Sequence, residues 1–177
     1  MRTDILIVGS GCAGLYCALN LPEDKEILII TKDTVEHSDS YLAQGGICML
    51  RDEEDFESYF EDTMRAGAYM NKPEAVEAMI KESPELIDDL IGLGVDFARD
   101  EKGNLKFTKE GAHHAERILY HEDATGKEIM VHLYEACKKK KKQYLWDDET
   151  HLKPEGAKAY MGLVKDSIKK YLKEDEV

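Results

Sequence analysis

The stretch at residues 4–20, DILIVGSGCAGLYCALN, decides the fold. Residues 4–8 (DILIV) form a β-branched apolar run suited to a buried parallel strand. Residues 9–14 (GSGCAG) follow at once, and residues 15–21 are apolar at helical spacing. Residues 26–30 (EILII) supply a second buried strand, closing a β–turn–α–β unit. In that context Gly9, Gly11 and Gly14 have separate duties: the tight turn, close backbone approach to a pyrophosphate, and close helix–strand packing. The helix start offers free N–H groups and a positive dipole end to phosphate. One feature departs from the usual pattern. The second strand ends in Thr31-Lys32-Asp33 rather than in an acidic residue. Asp33 can serve one position late, or Lys32 can contact the adenosine part or a phosphate. A lysine there argues against a generic NAD site.

Outward from this unit, residues 31–46 read as a polar, glycine-ended functional loop. Residues 55–66, 73–82 and 84–93 have helical periodicity, with Pro73 and Pro84 at first-turn positions and Gly94 as a stop. Residues 95–108 read as two short strands around a Lys102-Gly103-Asn104 turn, and residues 110–123 as a His-rich loop. Residues 125–137 read as an amphipathic helix, with Thr125 and Glu128 spaced as a capping box. Beyond five lysines at 138–142, residues 146–154 are loop-like. Residues 154–172 read as a helix with Ala157, Tyr160, Met161, Val164, Ile168 and Leu172 on one face.

With 177 residues, 42% hydrophobic and 34% charged, the chain suits one core-bearing domain, or one such domain plus an appendage. A formal net charge of −13 excludes nucleic acid as the main partner, because a polyphosphate needs a basic face. The lysine run is the one strongly basic island and reads as a solvated segment. Cys12, Cys17, Cys48 and Cys137 form no CxxC pair. Three of them lie among apolar or small residues and read as small hydrophobes in a reducing compartment. Asp4 interrupts the apolar N-terminus, so it does not read as a signal peptide. No apolar run nears about 18 residues, so no membrane span is expected and the chain is placed in the cytoplasm. His113, His114 and His121 share no helix face and no carboxylate-rich shell, so no metal is expected.

The segments DILIVGSGCAGLYCALNL, ITK, SDSYLAQGGI, FEDTMRAG and GVDFARDEKGNLKFTKEGAHHAERILYHEDATGKEI occur in order. Over residues 1–137 they make the chain resemble the L-aspartate oxidase family, within the succinate dehydrogenase and fumarate reductase flavoprotein superfamily. The resemblance implies an α/β fold: a partial Rossmann-like FAD-binding domain (GxGxxG) with a helical insert, plus a C-terminal helical appendage. It implies FAD as cofactor and a small dicarboxylate or amino-acid substrate. The family's reaction is oxidation of L-aspartate to iminoaspartate, at the start of NAD biosynthesis. The implied FAD contacts are Gly9, Ser10, Gly11, Cys12, Ala13 and Gly14, then Lys32, then Asp39, Ser40, Tyr41, Leu42, Ala43, Gln44, Gly45 and Gly46. Gln44-Gly45-Gly46 would supply an amide and two unencumbered N–H groups to the flavin edge, which becomes negative on reduction. Glu110, in TKEG, falls where the family places a carboxylate near the substrate amine. His113 keeps the family's EGxH position, whereas His114, Ala115 and Glu116 depart from its pattern before Arg117.

The family's later arginines and histidines, and the second half of its nucleotide-binding sheet, find no match. The catalytic site is therefore expected to be incomplete. A fumarate reductase or succinate dehydrogenase-type fragment, and a non-catalytic remnant, stand as alternatives. Residues 145–173 resemble a different family, the SGNH/GDSL esterases of the rhamnogalacturonan acetylesterase kind. There Asp148 would orient His151 as general base for a serine. No GDSx block precedes that pair, so no hydrolysis is expected. The chain thus divides into 1–137, a lysine-rich junction at 138–144, and 145–177, and reads as truncated or chimeric at the junction.

Overall fold

The computed structural model describes residues 3–140. Strand β1 (Ile5–Val8) and strand β2 (Ile27–Ile30) pair in parallel, Ile5 opposite Ile27 and Val8 opposite Ile30. Helix α1 (Cys12–Asn20) makes the crossover. The next segment is not plain loop. It holds a short 3-10 turn (Val35–His37) and the one-turn helix α2 (Asp39–Leu42), because the Ser38 hydroxyl accepts from Tyr41 N at 3.2 Å and caps it.

A second, antiparallel pair joins β3 (Ile47–Cys48) to β4 (Ile118–Leu119), which lies inside the stretch expected as His-rich loop. Helices α3 (Phe56–Ala66), α4 (Pro73–Gly92) and α5 (Thr125–Lys139) complete the described elements. The core gathers Leu15 and Ala18 of α1, Ile27 and Ile29 of β2, Ile87 and Leu90 of α4, and Met130 and Leu133 of α5. A smaller cluster, Tyr59, Met64, Val76 and Ile80, joins α3 to α4.

Several sequence expectations need correction. The two helices expected at 73–82 and 84–93 are one, with Pro84 inside it. Pro84 has no N–H for the Ile80 carbonyl, and the Ser83 hydroxyl donates to that carbonyl instead, at 2.7 Å. The helix ends where expected: Gly94 has φ +104°, and Val95 N donates to Leu90 O at 3.0 Å.

The capping box at Thr125 does not form. Ala124 is the cap position, the Thr125 hydroxyl accepts from His121 N at 2.9 Å, and Glu128 accepts from Asp96 N at 3.0 Å. The hairpin expected at 95–108 is reduced to one bridge, Arg99 with Leu105, because Thr108 pairs with Ile118 instead. Strand β1 is not fully buried: Leu6 is 44% and Val8 68% exposed, since no described residue covers that face. Of the cysteines only Cys137 is buried; Cys12 and Cys17 sit on exposed positions of α1. The first lysines of the run, Lys138 and Lys139, belong to the last turn of α5, where their charge suits the helix C-terminus.

Candidate functional site

The glycine turn is built from backbone. Gly9 N donates to Ile30 O at 2.7 Å, and Gly9 adopts φ +112°, a conformation an L side chain resists. A Cβ on Gly14 would overlap the Gly9 carbonyl oxygen, so α1 can sit against the turn only without a side chain there. Gly11 is the cap residue of α1 and offers no side-chain cap. Ser10 is buried, and its hydroxyl donates to Thr31 Oγ1 at 3.0 Å, joining the turn to the end of β2.

Across from the turn lies the start of α2. Cys12 N donates to the Ser40 hydroxyl at 3.1 Å, and the Cβ position of Gly11 lies 3.1 Å from that same oxygen. Between them opens a cleft of about 610 Å³. Gly9, Ser10 and Gly11 line one side, and Lys32, Ser38, Asp39 and Ser40 line the other. Asp33 also borders the cleft, but its carboxylate accepts from Thr34 N at 2.7 Å and pairs with His37 at 3.1 Å. The exposed Lys32, at the end of β2, borders the same cleft and offers it a positive charge.

The Gln44–Gly46 segment is fixed from two sides. Gly126, in the first turn of α5, donates its N–H to Ala43 O at 2.9 Å, and a Cβ on Gly126 would overlap Ser40 O. A Cβ on Gly46 would overlap Ile118 and the Leu119 carbonyl, so β3 can approach β4 only through glycine. Gln44 is exposed, and the Cβ position of Gly45 lies 3.5 Å from the Glu110 carboxylate. A second cavity of about 460 Å³, largely apolar, runs from Cys12 and Ala13 past Gly45 and Gly46 to α5. Ser40 borders both cavities.

The expected site residues therefore fall into two groups. Gly9, Ser10, Gly11, Lys32, Asp39 and Ser40 line one cleft; Cys12, Ala13, Ala43, Gly45 and Gly46 line the second, where Gly45 meets Glu110. Tyr41 packs instead toward the core, and Leu42 stays 62% exposed. Asp148 and His151 lie outside the described residues.

Sequence reasoning missed the most highly connected charged group. Arg117 is fully buried. Its guanidinium donates twice to Asp55, at 2.9 and 2.6 Å, once to Asp62 at 2.7 Å, and once to the Ser58 hydroxyl at 3.0 Å. The hydrogen bonds Arg117 donates to Asp55 push its pKa further up, against the cost of burial. Burial alone would raise the Asp62 pKa, but the His114 N–H and the Arg117 guanidinium outweigh it and hold that carboxyl well below the usual range. The available signal was the spacing of Asp55, Ser58 and Asp62, which puts three polar groups on one helical face.

Beside this hub, His113, Cys48 and Tyr59 line a third cavity of about 500 Å³. Burial pushes the Cys48 thiol up. Among the described residues, no helix is long and apolar enough to cross a membrane.

The chain is similar to known flavoproteins. It is 50% identical over 145 residues to the L-aspartate oxidase of Clostridium perfringens, covering 82% of this chain and 33% of that protein. It is 40% identical over 134 residues to the chloroplastic L-aspartate oxidase of Arabidopsis thaliana, covering 75% and 21%. The chain thus spans about a third or less of the length of the relatives it matches. Among solved structures it resembles E. coli quinol fumarate reductase FrdA, with TM-score 0.76 and 25% identity over 82% of this chain and 25% of that one. It shares the fold of Mycobacterium smegmatis Sdh1, with TM-score 0.73 and 23% identity over 81% and 26%.

The residues present fit FAD. The turn at Gly9–Gly14 needs glycine at Gly9 for its φ of +112° and at Gly14 for its contact with the Gly9 carbonyl, it opens on a helix N-terminus, and its cleft is bordered by a lysine. The FAD binding domain family matches residues 4–148, and the chain belongs to that family.

Proposed function

We propose that this chain is the FAD-binding portion of an L-aspartate oxidase-like flavoenzyme. The observation that carries the reading is the arrangement of the two groups of residues. The glycine turn faces Lys32 and Ser40 across one cleft, while Glu110 stands beside Gly45. Bound FAD supplies a two-electron acceptor. Ser10, Gly11 and Ala13 set backbone N–H groups and a helix dipole toward the diphosphate, while the Cys12 N–H holds the Ser40 hydroxyl at the edge of the cleft. Lys32 offers a positive charge to the adenosine side, and Asp39 to Gly46 follow the cofactor toward the flavin. Gln44 and the N–H groups of Gly45 and Gly46 act as donors where negative charge develops. Glu110 offers a carboxylate to the ammonium group of an amino-dicarboxylate.

The chain spans a third or less of these relatives, so oxidation of L-aspartate to iminoaspartate is proposed for a longer protein carrying this segment and not for the segment alone. In domain terms, the reading assigns residues 1–137 to a partial FAD-binding domain, 138–144 to a junction and 145–177 to a C-terminal appendage.

Titration of the purified chain with FAD, followed by quenching of flavin fluorescence, tests the reading. Saturable binding at one FAD per chain, weakened at least tenfold by Lys32→Glu, supports it. Absence of bound flavin rejects it. The likeness to FrdA favours a second reading, a fumarate reductase-type flavoprotein. A longer protein carrying this segment separates the two: oxidation of L-aspartate, lost in Glu110→Gln, fits the first, and oxidation of succinate indifferent to that substitution fits the second.

A further inference from the structure

Arg117 Nη1 lies 3.1 Å from His113 Nδ1. A guanidinium stays protonated and has no acceptor, so it donates, and Nδ1 must carry the lone pair. The ring proton then sits on Nε2, which faces Cys48 Sγ at 3.4 Å. The Tyr59 ring stands edge-on to the same imidazole, with centroids 6.2 Å apart. Cys48 is the second residue after Gly46, and His113 N closes a turn onto Glu110 O at 3.3 Å, with Gly111 at φ +55° inside it. The imidazole therefore ties the turn bearing Glu110 to the strand leaving Gly45 and Gly46.

We propose that His113 is a positioning residue for Glu110. Its ring, locked by Arg117 with the proton on Nε2, bonds Cys48 and fixes the Glu110 carboxylate beside Gly45. This rests on the reading of Glu110 as the substrate-side carboxylate. The chain of contacts is directional. Asp55 and Asp62 orient the guanidinium, the guanidinium selects the tautomer, and the tautomer provides the donor that Cys48 accepts. A side chain that accepts from Arg117 and donates to Cys48 can replace it, and glutamine has both groups. Leucine has the bulk and neither bond.

The test uses the full chain, labelled with 15N. The His113 ring should show an unprotonated Nδ1 and a protonated Nε2. In His113→Leu the amide resonances of Glu110 and Gly45 should move, and in His113→Gln they should return to their original positions, with both variants folded by circular dichroism. A proton on Nδ1, or Leu and Gln variants that perturb Glu110 and Gly45 alike, overturns the proposal. A second readout uses the FAD-loaded chain. Glu110→Gln removes a negative charge near the flavin and should raise its reduction potential, and that shift should shrink at least twofold in a His113→Leu background. An undiminished shift also overturns the proposal. Failure of the chain to take up FAD counts against the proposed function alone, and the resonances of the cofactor-free chain still decide the role of His113.

Discussion

Arg117 and Asp62 meet at 2.7 Å with 0% and 2% of their side chains exposed, across 55 residues of sequence. Both charges are out of water; Arg117 is also bonded to Asp55, and Asp62 also accepts from His114 N and Arg65. Breaking a buried pair by removing one partner costs about 3–5 kcal/mol where the remaining charge is uncompensated, and the bonds Asp62 keeps from His114 N and Arg65 put the loss here toward the lower end. Arg117→Leu should lose stability in that range by urea unfolding. Arg117→Lys should recover little of it, since one ammonium cannot reproduce the paired bonds to Asp55 together with the bond to Asp62.

The same carboxylate sets an acid limit. The Asp62 pKa is held below that of the unfolded chain, so its contribution is fully present above about pH 3.9, the ordinary aspartate value. As pH falls below that value the unfolded state takes up the proton first, and stability is lost progressively. Acid titration monitored by circular dichroism should show this limb, and Asp62→Asn, though less stable at neutral pH, should flatten it.

Tyr16 gives the opposite limb. Its hydroxyl donates to Asp89 at 2.6 Å, and that bond pushes its pKa up to about 12. Above the ordinary tyrosine value of about 10, the unfolded chain ionises first and this contact ceases to stabilise the fold. In an alkaline absorbance titration Tyr16 should ionise late, as should Tyr59 and Tyr69, and Asp89→Asn should remove one tyrosine from that late group.

Ser83 serves two partners that lie apart in the chain. It donates to Ile80 O at 2.7 Å and accepts from Leu50 N at 2.8 Å. Ser83→Ala leaves a carbonyl and an N–H without that partner and should cost about 1–3 kcal/mol. Adding Pro84→Ala supplies an N–H for the Ile80 carbonyl, so the double variant should be more stable than Ser83→Ala alone in the same unfolding assay.

Gly14→Ala places a methyl group into the Gly9 carbonyl. The overlap is with backbone and cannot be relieved by a rotamer change, so α1 must move away from the turn. FAD affinity should fall more than tenfold in a fluorescence titration while the α3–α4 portion keeps its helical signal.

What the sequence determined by itself was local. The alternation of apolar runs and the spacing of Gly9, Gly11 and Gly14 fixed β1, α1 and β2, because each depends on residues a few positions apart. The same short range misled at Pro84 and at Thr125. A proline reads as a break unless a neighbouring hydroxyl takes the orphan carbonyl, and a threonine reads as a cap unless another N–H claims it first. Tertiary structure decided everything that joins distant segments: Gly126 against Ala43, Gly46 against Leu119, Glu110 beside Gly45, and Arg117 between Asp55 and Asp62. None of these pairs has a periodicity to betray it. Each exists because burial removes water as the competing partner, so a carboxylate, a guanidinium or a bare backbone must find its complement from wherever the chain returns.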